Sequence, residues 1–129
     1  MKEKKNSEDI PELISKINND PDLLHLDYTP AVHQLSECGI DAAIAVLPLL
    51  DSSEIWERYR AQRVLEGVVQ RMYGWQPGKG YPVGIDGEEK VKKLFIKMGN
   101  YQADASIEIR NASIIKWEKW LKERLKDNE

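Results

Sequence analysis

Apolar positions along this chain recur at helical spacing from near its start to near its end. In "SEDIPELISKINND", Ile10, Leu13, Ile14 and Ile17 fall at i, i+3, i+4 and i+7, with acidic residues in the first turn and Ser7 placed to cap it. In "DYTPAVHQLSECG", Thr29 takes the cap and Pro30 the first helical position. Val32, Leu35 and Cys38 form the inward stripe there, and Gly39 is the expected left-handed terminator. "IDAAIAVLPLLDSS" follows, with Ala43, Ile44 and Leu47 on one stripe and Pro48 bending or shortening the last turn. A two-residue joint separates these two helices, so antiparallel packing is expected.

The longest continuous pattern is "SEIWERYRAQRVLEGVVQRMYG". Ala61, Leu65, Val68 and Met72 share one face, Val64 and Val69 widen it, Ser52 or Ser53 caps it and Gly74 ends it. "GEEKVKKLFIKMGN" turns Val91, Leu94, Phe95 and Met98 inward and its lysines outward, with Gly99 as terminator. In "DASIEIRNASIIKWEKWLKERLKDNE", Ile114, Trp117, Leu121 and Leu125 keep helical spacing, while Lys116, Lys119, Lys122 and Lys126 are solvated. Nowhere do four to eight residues alternate as a strand would. The pattern predicts an all-α fold of about six helices in one domain over residues 1–129. Residues 1–7 read as a solvated tail and 74–87 as a glycine-rich connection.

Composition narrows the class. A chain of 129 residues, 41% apolar and 32% charged, is long enough to bury a core without metals or disulfides. It is too apolar for disorder and too interrupted for a membrane protein. The longest apolar run, Ala42 to Leu50, contains Pro48 and spans nine residues, about half of what a bilayer needs. The opening "MKEKKNSED" has no apolar stretch behind its basic residues, so a cytoplasmic location is expected. Cys38 is the only cysteine, which excludes an internal disulfide and a multi-thiolate zinc site; its neighbours mark it as a small buried apolar residue.

The run "YTPAVHQLSECGIDAAIAVLPLLDSSEIWERYRAQRVLEGV" resembles HEAT repeats. Gly39, Ala42 or Ala43, Val46 or Leu47, and Leu50 match the small-residue inner helix; Arg58 or Arg60, Ala61 and Leu65 match the opening of the next unit. "MYGW" and "RNASIIKWEKWLKE" are similar to the ending of some small bacterial HEAT-like proteins. The resemblance covers roughly residues 28–126, about one and a half units. Pro48 and the glycine-rich stretch break the period, so the architecture is either HEAT-like antiparallel repeats or a closed bundle. Such folds imply a binding or scaffold role, because they present helical surfaces and carry no built-in chemistry.

Five of the eight glycines lie between Gly74 and Gly87 beside Lys79, which raises phosphate binding as a possibility to be tested. The stretch lacks the Lys-Ser/Thr pair of a nucleotide-hydrolase loop, and no strand precedes it. Gly78, Gly80 and Gly84 also miss the dinucleotide-binding spacing. Asp86, Glu88 and Glu89 then occupy the positive end of the following helix, where they repel an anion. His33 and Glu37, at i and i+4, supply two metal ligands at most, and His25 stands alone. No nucleophile, base and orienting acid follow a hydrolase order, and Cys38 on an inward stripe disfavours thiolate. No enzyme activity, cofactor or metal is therefore expected. The alternative is a small enzyme or metal-binding protein centred on His33, Glu37 and nearby acids.

Charge distribution points elsewhere. From Ile17 to Glu57 there are eight acidic residues and no lysine or arginine. The lysines of the last two helices are interleaved with Glu118, Glu123, Asp127 and Glu129, so they form solvated faces rather than a nucleic-acid stripe. Trp56 stands among Asp51, Glu54 and Glu57, and Trp75 stands at a helix end; a tryptophan ringed by charge has the composition of an interface anchor. The expected function is a non-catalytic protein-binding module whose acidic surface takes a basic partner, one form being an immunity protein that neutralises a nuclease toxin. The expected contact residues are Asp22, Asp27, Glu37, Asp41, Asp51, Glu54, Trp56, Glu57, Trp75, Lys79 and Tyr81. Nucleic acid and membrane are not expected partners, and the sequence assigns no oligomeric state.

Overall fold

Helix α4 (Ile55–Met72) is the element on which most of the chain packs, in a computed structural model that describes residues 9–127. Helices α2 (Pro30–Ser36), α3 (Ile40–Val46) and α5 (Gly87–Lys97) lie against it, as does a 3-10 turn, Leu47–Asp51. Helix α1 (Ile10–Ser15) packs on α2 and α3, and α6 (Ile107–Asp127) closes the other side on α3 and the 3-10 turn. The fold is all-α, a bundle of six helices around one hydrophobic core, with two isolated β-bridges and no sheet among the described residues. No described helix is long and apolar enough to cross a membrane.

Most boundaries follow from the local chemistry already noted. Thr29 caps α2 by accepting from Val32 N at 3.2 Å, and its hydroxyl donates to Ile17 O at 2.8 Å, which ties the turn after α1 to the start of α2. Pro48 has no N–H to continue the α-helical ladder, so the chain tightens into the 3-10 turn after Val46. Helix α4 ends in a Schellman motif, with Gly74 N donating to Arg71 O and Trp75 N to Gln70 O at 3.2 and 3.1 Å. Gly99 and Asn100 end α5 in the same way.

Several expectations need correction. Ser7 lies outside the described residues, and Asp9 stands at the N-cap of α1. Gly39 has a positive φ of 79° but ψ of −159°, a glycine-only extended conformation and not a left-handed helical one, and it opens α3 rather than closing α2. Cys38 is only partly buried; its Sγ lies 3.3 Å from Gln34 O. Ile44 is also half-buried, and the inward stripe passes through Ile40, Ala43, Val46 and Leu50. Met72 is 39% exposed, because the chain leaves the bundle at Gly74 before the last turn of α4 is covered. Neither serine caps α4. Glu54 is its N-cap, and Ser52 Oγ instead accepts from Glu54 N at 3.1 Å.

The glycine-rich connection is conformational. Gly74, Gly78, Gly80 and Gly84 all have positive φ, and Gln76 and Gly80 close a short turn with Lys79 at its tip. Gly87 answers to space: a Cβ there would sit 2.5 Å from Tyr73 O and 2.8 Å from the Tyr81 ring. Gly67 does the same inside α4, where a Cβ would meet Ser36 Oγ at 2.4 Å, so α2 and α4 approach closely at that seam.

The segment between α5 and α6 is held from below. Tyr101, buried, donates its hydroxyl to Leu50 O at 2.6 Å, and burial pushes its pKa from 10.0 to about 12. A raised phenol pKa favours the neutral form in the fold, so this contribution is intact below pH 10 and is lost as pH rises towards about 12. Tyr28 and Tyr81 are shifted upward too, chiefly by burial, and add to the same slope. Tyr101→Phe is expected to lose about 1 kcal/mol at neutral pH, because Leu50 O loses its donor, and to unfold less steeply above pH 10. Denaturant titrations of both proteins across that range check this; equal alkaline slopes would sink it.

Candidate functional site

Between Pro21 and Pro30 the sequence "DLLHLDYT" has no helical period, and it folds into a small closed loop. Asp22 N donates to Tyr28 O at 3.0 Å, His25 N to Asp22 O at 3.0 Å and Tyr28 N to His25 O at 2.9 Å. Asp22 Oδ1 accepts from Leu24 N at 2.9 Å. Helix α4 holds the loop: the buried Arg60 donates Nε to Leu26 O and Nη1 to Asn18 Oδ1, both at 3.0 Å. Arg63 bonds Asp27 through Nε and Glu66 through Nη1. These bonds fix the path of the loop, and its leucines are left outward. Leu23 is 89% and Leu24 87% exposed.

These leucines form one wall of a groove of about 630 Å³. The other wall is the start of α4, with Ile55, Trp56 and Tyr59. Trp56 is 44% exposed; its ring is tilted on Tyr59 at 5.4 Å, and the Arg60 guanidinium lies 6.0 Å from its centre. Exposed apolar side chains gathered in one place, on a loop held by this many hydrogen bonds, are what an interaction site requires.

The groove's lining carries one acid and one arginine, Asp27 and Arg63. Among the described residues Arg63 is the only lysine or arginine lining it, and its Nε and Nη1 face the carboxylates of Asp27 and Glu66. Burial opposes the Arg63 charge, but Glu66 and Asp27 outweigh that and raise its pKa. Burial also raises the pKa of Tyr28 behind the loop. Asp22 and Glu54, next in sequence to the groove residues, are exposed.

The expected contact residues divide among several places. Asp27 and Trp56 line this groove, and Asp22 and Glu54 adjoin it. Asp27 is committed to Arg63, and Glu57 accepts from Asn18 Nδ2 at 2.7 Å, so both serve the fold. Asp51 lies on a different groove, beside α6. Asp41 is exposed in the first turn of α3 and Glu37 is exposed at the C-cap of α2. Trp75 is half-buried under Arg71, whose guanidinium lies 4.9 Å from its ring; Tyr81 is half-buried and Lys79 exposed. His33 stacks on Tyr28 at 5.1 Å, and among the described residues no three His, Cys, Asp or Glu side chains gather as a metal site would need.

Leu23, Leu24, Leu26, Ile55 and Tyr59 were not among the expected contact residues. Their signal is present, since an apolar cluster in a proline-bounded segment without period has no helix face through which to reach the core. Compared with known proteins, the chain matches no family model, no curated protein and no solved structure.

Proposed function

We propose that this chain is a non-catalytic protein-binding module that holds a basic, amphipathic segment of another protein in the groove between the Asp22–Tyr28 loop and the start of α4. The observation that carries the reading is the pair Leu23 and Leu24, exposed on a hydrogen-bonded loop that shares a groove with Trp56. Apolar anchors of the partner would enter between the leucines and Trp56, the kind of pocket in which interface energy concentrates. Its lysines or arginines would meet Asp22 and Glu54, since the groove's own cation is already neutralised. An inhibitor or immunity protein acting on a basic nuclease is one form of such a module. The HEAT resemblance adds only the class, a helical scaffold that works through its surface.

Panning a displayed random-peptide library on the full chain tests this. Enriched peptides should carry large apolar residues beside lysine or arginine, bind more weakly as salt rises, and lose about tenfold or more in affinity for Leu24→Asp. Because Leu24 is exposed, the variant should melt with the wild type. Enrichment that is no better on wild type than on Leu24→Asp rejects the groove.

A further inference from the structure

We infer that mild acid releases the partner from the groove between the Asp22–Tyr28 loop and α4, with the His25 imidazole as the group that takes up the proton. The inference rests on the reading that this groove holds a basic, amphipathic segment. Histidine is the one side chain that ordinarily changes charge between about pH 5 and 8, and the chain has two, His25 and His33. Only one of them is in the groove. His25 lines it together with Leu24, Leu26, Ile55 and Trp56, whereas His33 is stacked on Tyr28 at 5.1 Å and is not part of that lining.

The loop carries His25 at a fixed place. Its N donates to Asp22 O at 3.0 Å and its O accepts from Tyr28 N at 2.9 Å, while the residue as a whole stays exposed. Charged and titratable groups reach the groove from two elements. From the loop come Asp22, whose Oδ1 accepts from Leu24 N, and Asp27, which is bonded to Arg63. From α4 come Tyr59 and Arg63 in the lining, Glu66 bonded to Arg63, and Glu54 exposed at the N-cap. The lining's one carboxylate is thus matched by its one guanidinium, so a proton on His25 leaves the lining with a net positive charge. That charge acts twice against a basic, amphipathic segment. It repels the segment's lysines or arginines, and the segment's apolar side chains would cover it, which disfavours the charged form. Binding and protonation therefore oppose each other: affinity is full while the imidazole is neutral and falls as pH drops.

Equilibrium binding at about pH 7.5 and about pH 5.5 tests the inference, with an N-acetylated, histidine-free peptide enriched by panning on the full chain at the higher pH as the probe. The wild type should bind it about fivefold or more weakly at the lower pH. His25→Gln, which cannot take the proton, should bind about equally at both, His25→Lys weakly at both, and His33→Gln should keep the wild-type difference. Because His25 is exposed, its variants should melt with the wild type. A peptide that depends on Leu24 yet binds the wild type equally at both pH values, or a fall that persists in His25→Gln, overturns the role of His25 and leaves the groove standing. Binding indifferent to Leu24→Asp overturns both.

Discussion

Trp117→Ala is expected to lose about 3–5 kcal/mol of stability, a large part of what holds a domain of this size. Trp117 is fully buried on α6, tilted against Phe95 at 4.9 Å and edge-on to Trp120 at 5.6 Å, so it joins α5 to α6. Truncation removes the transfer energy of an indole and leaves a cavity that two rigid helices cannot close. One detail separates this residue from an ordinary core aromatic: its Nε1 is buried with no hydrogen-bond partner among protein atoms. An unbonded buried N–H is itself unfavourable by about 1–3 kcal/mol. Trp117→Phe, which deletes that group with part of the volume, should therefore retain much of the stability that alanine loses. Urea midpoints at unchanged m-value measure both. If phenylalanine proves as damaging as alanine, the unbonded indole N–H is not a liability here.

Arg58→Met should lose about 2–4 kcal/mol, although it exchanges a charge for an apolar side chain of similar reach. Arg58 is buried near the start of α4, where Nε donates to Ala103 O and Nη1 to Ser52 O, both at 2.8 Å. Two turns of chain far apart in sequence are joined by one guanidinium, and its removal orphans two carbonyls, each worth about 1–3 kcal/mol when buried. One helical turn later Gln62 Oε1 accepts from Ala103 N at 3.0 Å, so α4 holds both sides of that residue. Arg58→Met and Gln62→Leu should consequently be less than additive when combined, since either alone releases the same segment. Arg58→Lys should recover little, because an ammonium cannot reproduce the two-directional fork. A loss under about 0.5 kcal/mol for Arg58→Met, the range of an ordinary surface change, would mean that the two carbonyls find other donors.

The helices were legible because each states itself locally. Ile10 and Leu13 in α1 and Ile17 just past it, Val91 and Leu94 in α5 and Met98 at its C-cap, and Trp117 and Leu121 in α6 all went where their spacing put them. The errors were at places where burial depends on a neighbour's path. Met72 has the right phase but no chain above it, Ile44 lies at the rim of the α6 groove, and Cys38 sits beyond the last turn of α2. The arginines of α4 were read as repeat-motif positions, and their actual work was invisible. Arg58 reaches a carbonyl 45 residues away and Arg60 one 34 residues away, and no local pattern encodes such a pairing.

For the candidate groove the balance is similar. Trp56 and the surplus of acids were readable from the sequence alone; Trp56 lines the groove, and of those acids Asp27 lines it too. That acidity was read as a single surface, yet the fold spends Asp27 and Glu57 on internal bonds and sends Asp51 to the α6 side. The glycine-rich connection shows the converse. Its composition resembled a site, and its glycines answer to backbone angles and to the close approach of Gly87 to Tyr73.

By itself, then, the sequence determined that the chain is helical, where each helix begins and ends to within a few residues, and which side chains form most of the core. These depend on period, caps and terminators acting over three or four neighbours. Only the tertiary structure decided that Leu23 and Leu24 stand opposite Trp56, that Ile115 stands opposite Pro48, and that buried arginines hold the loops between them. Those placements rest on hydrogen bonds and packing between segments tens of residues apart, and exposure of an apolar side chain exists only once every other segment has taken its place.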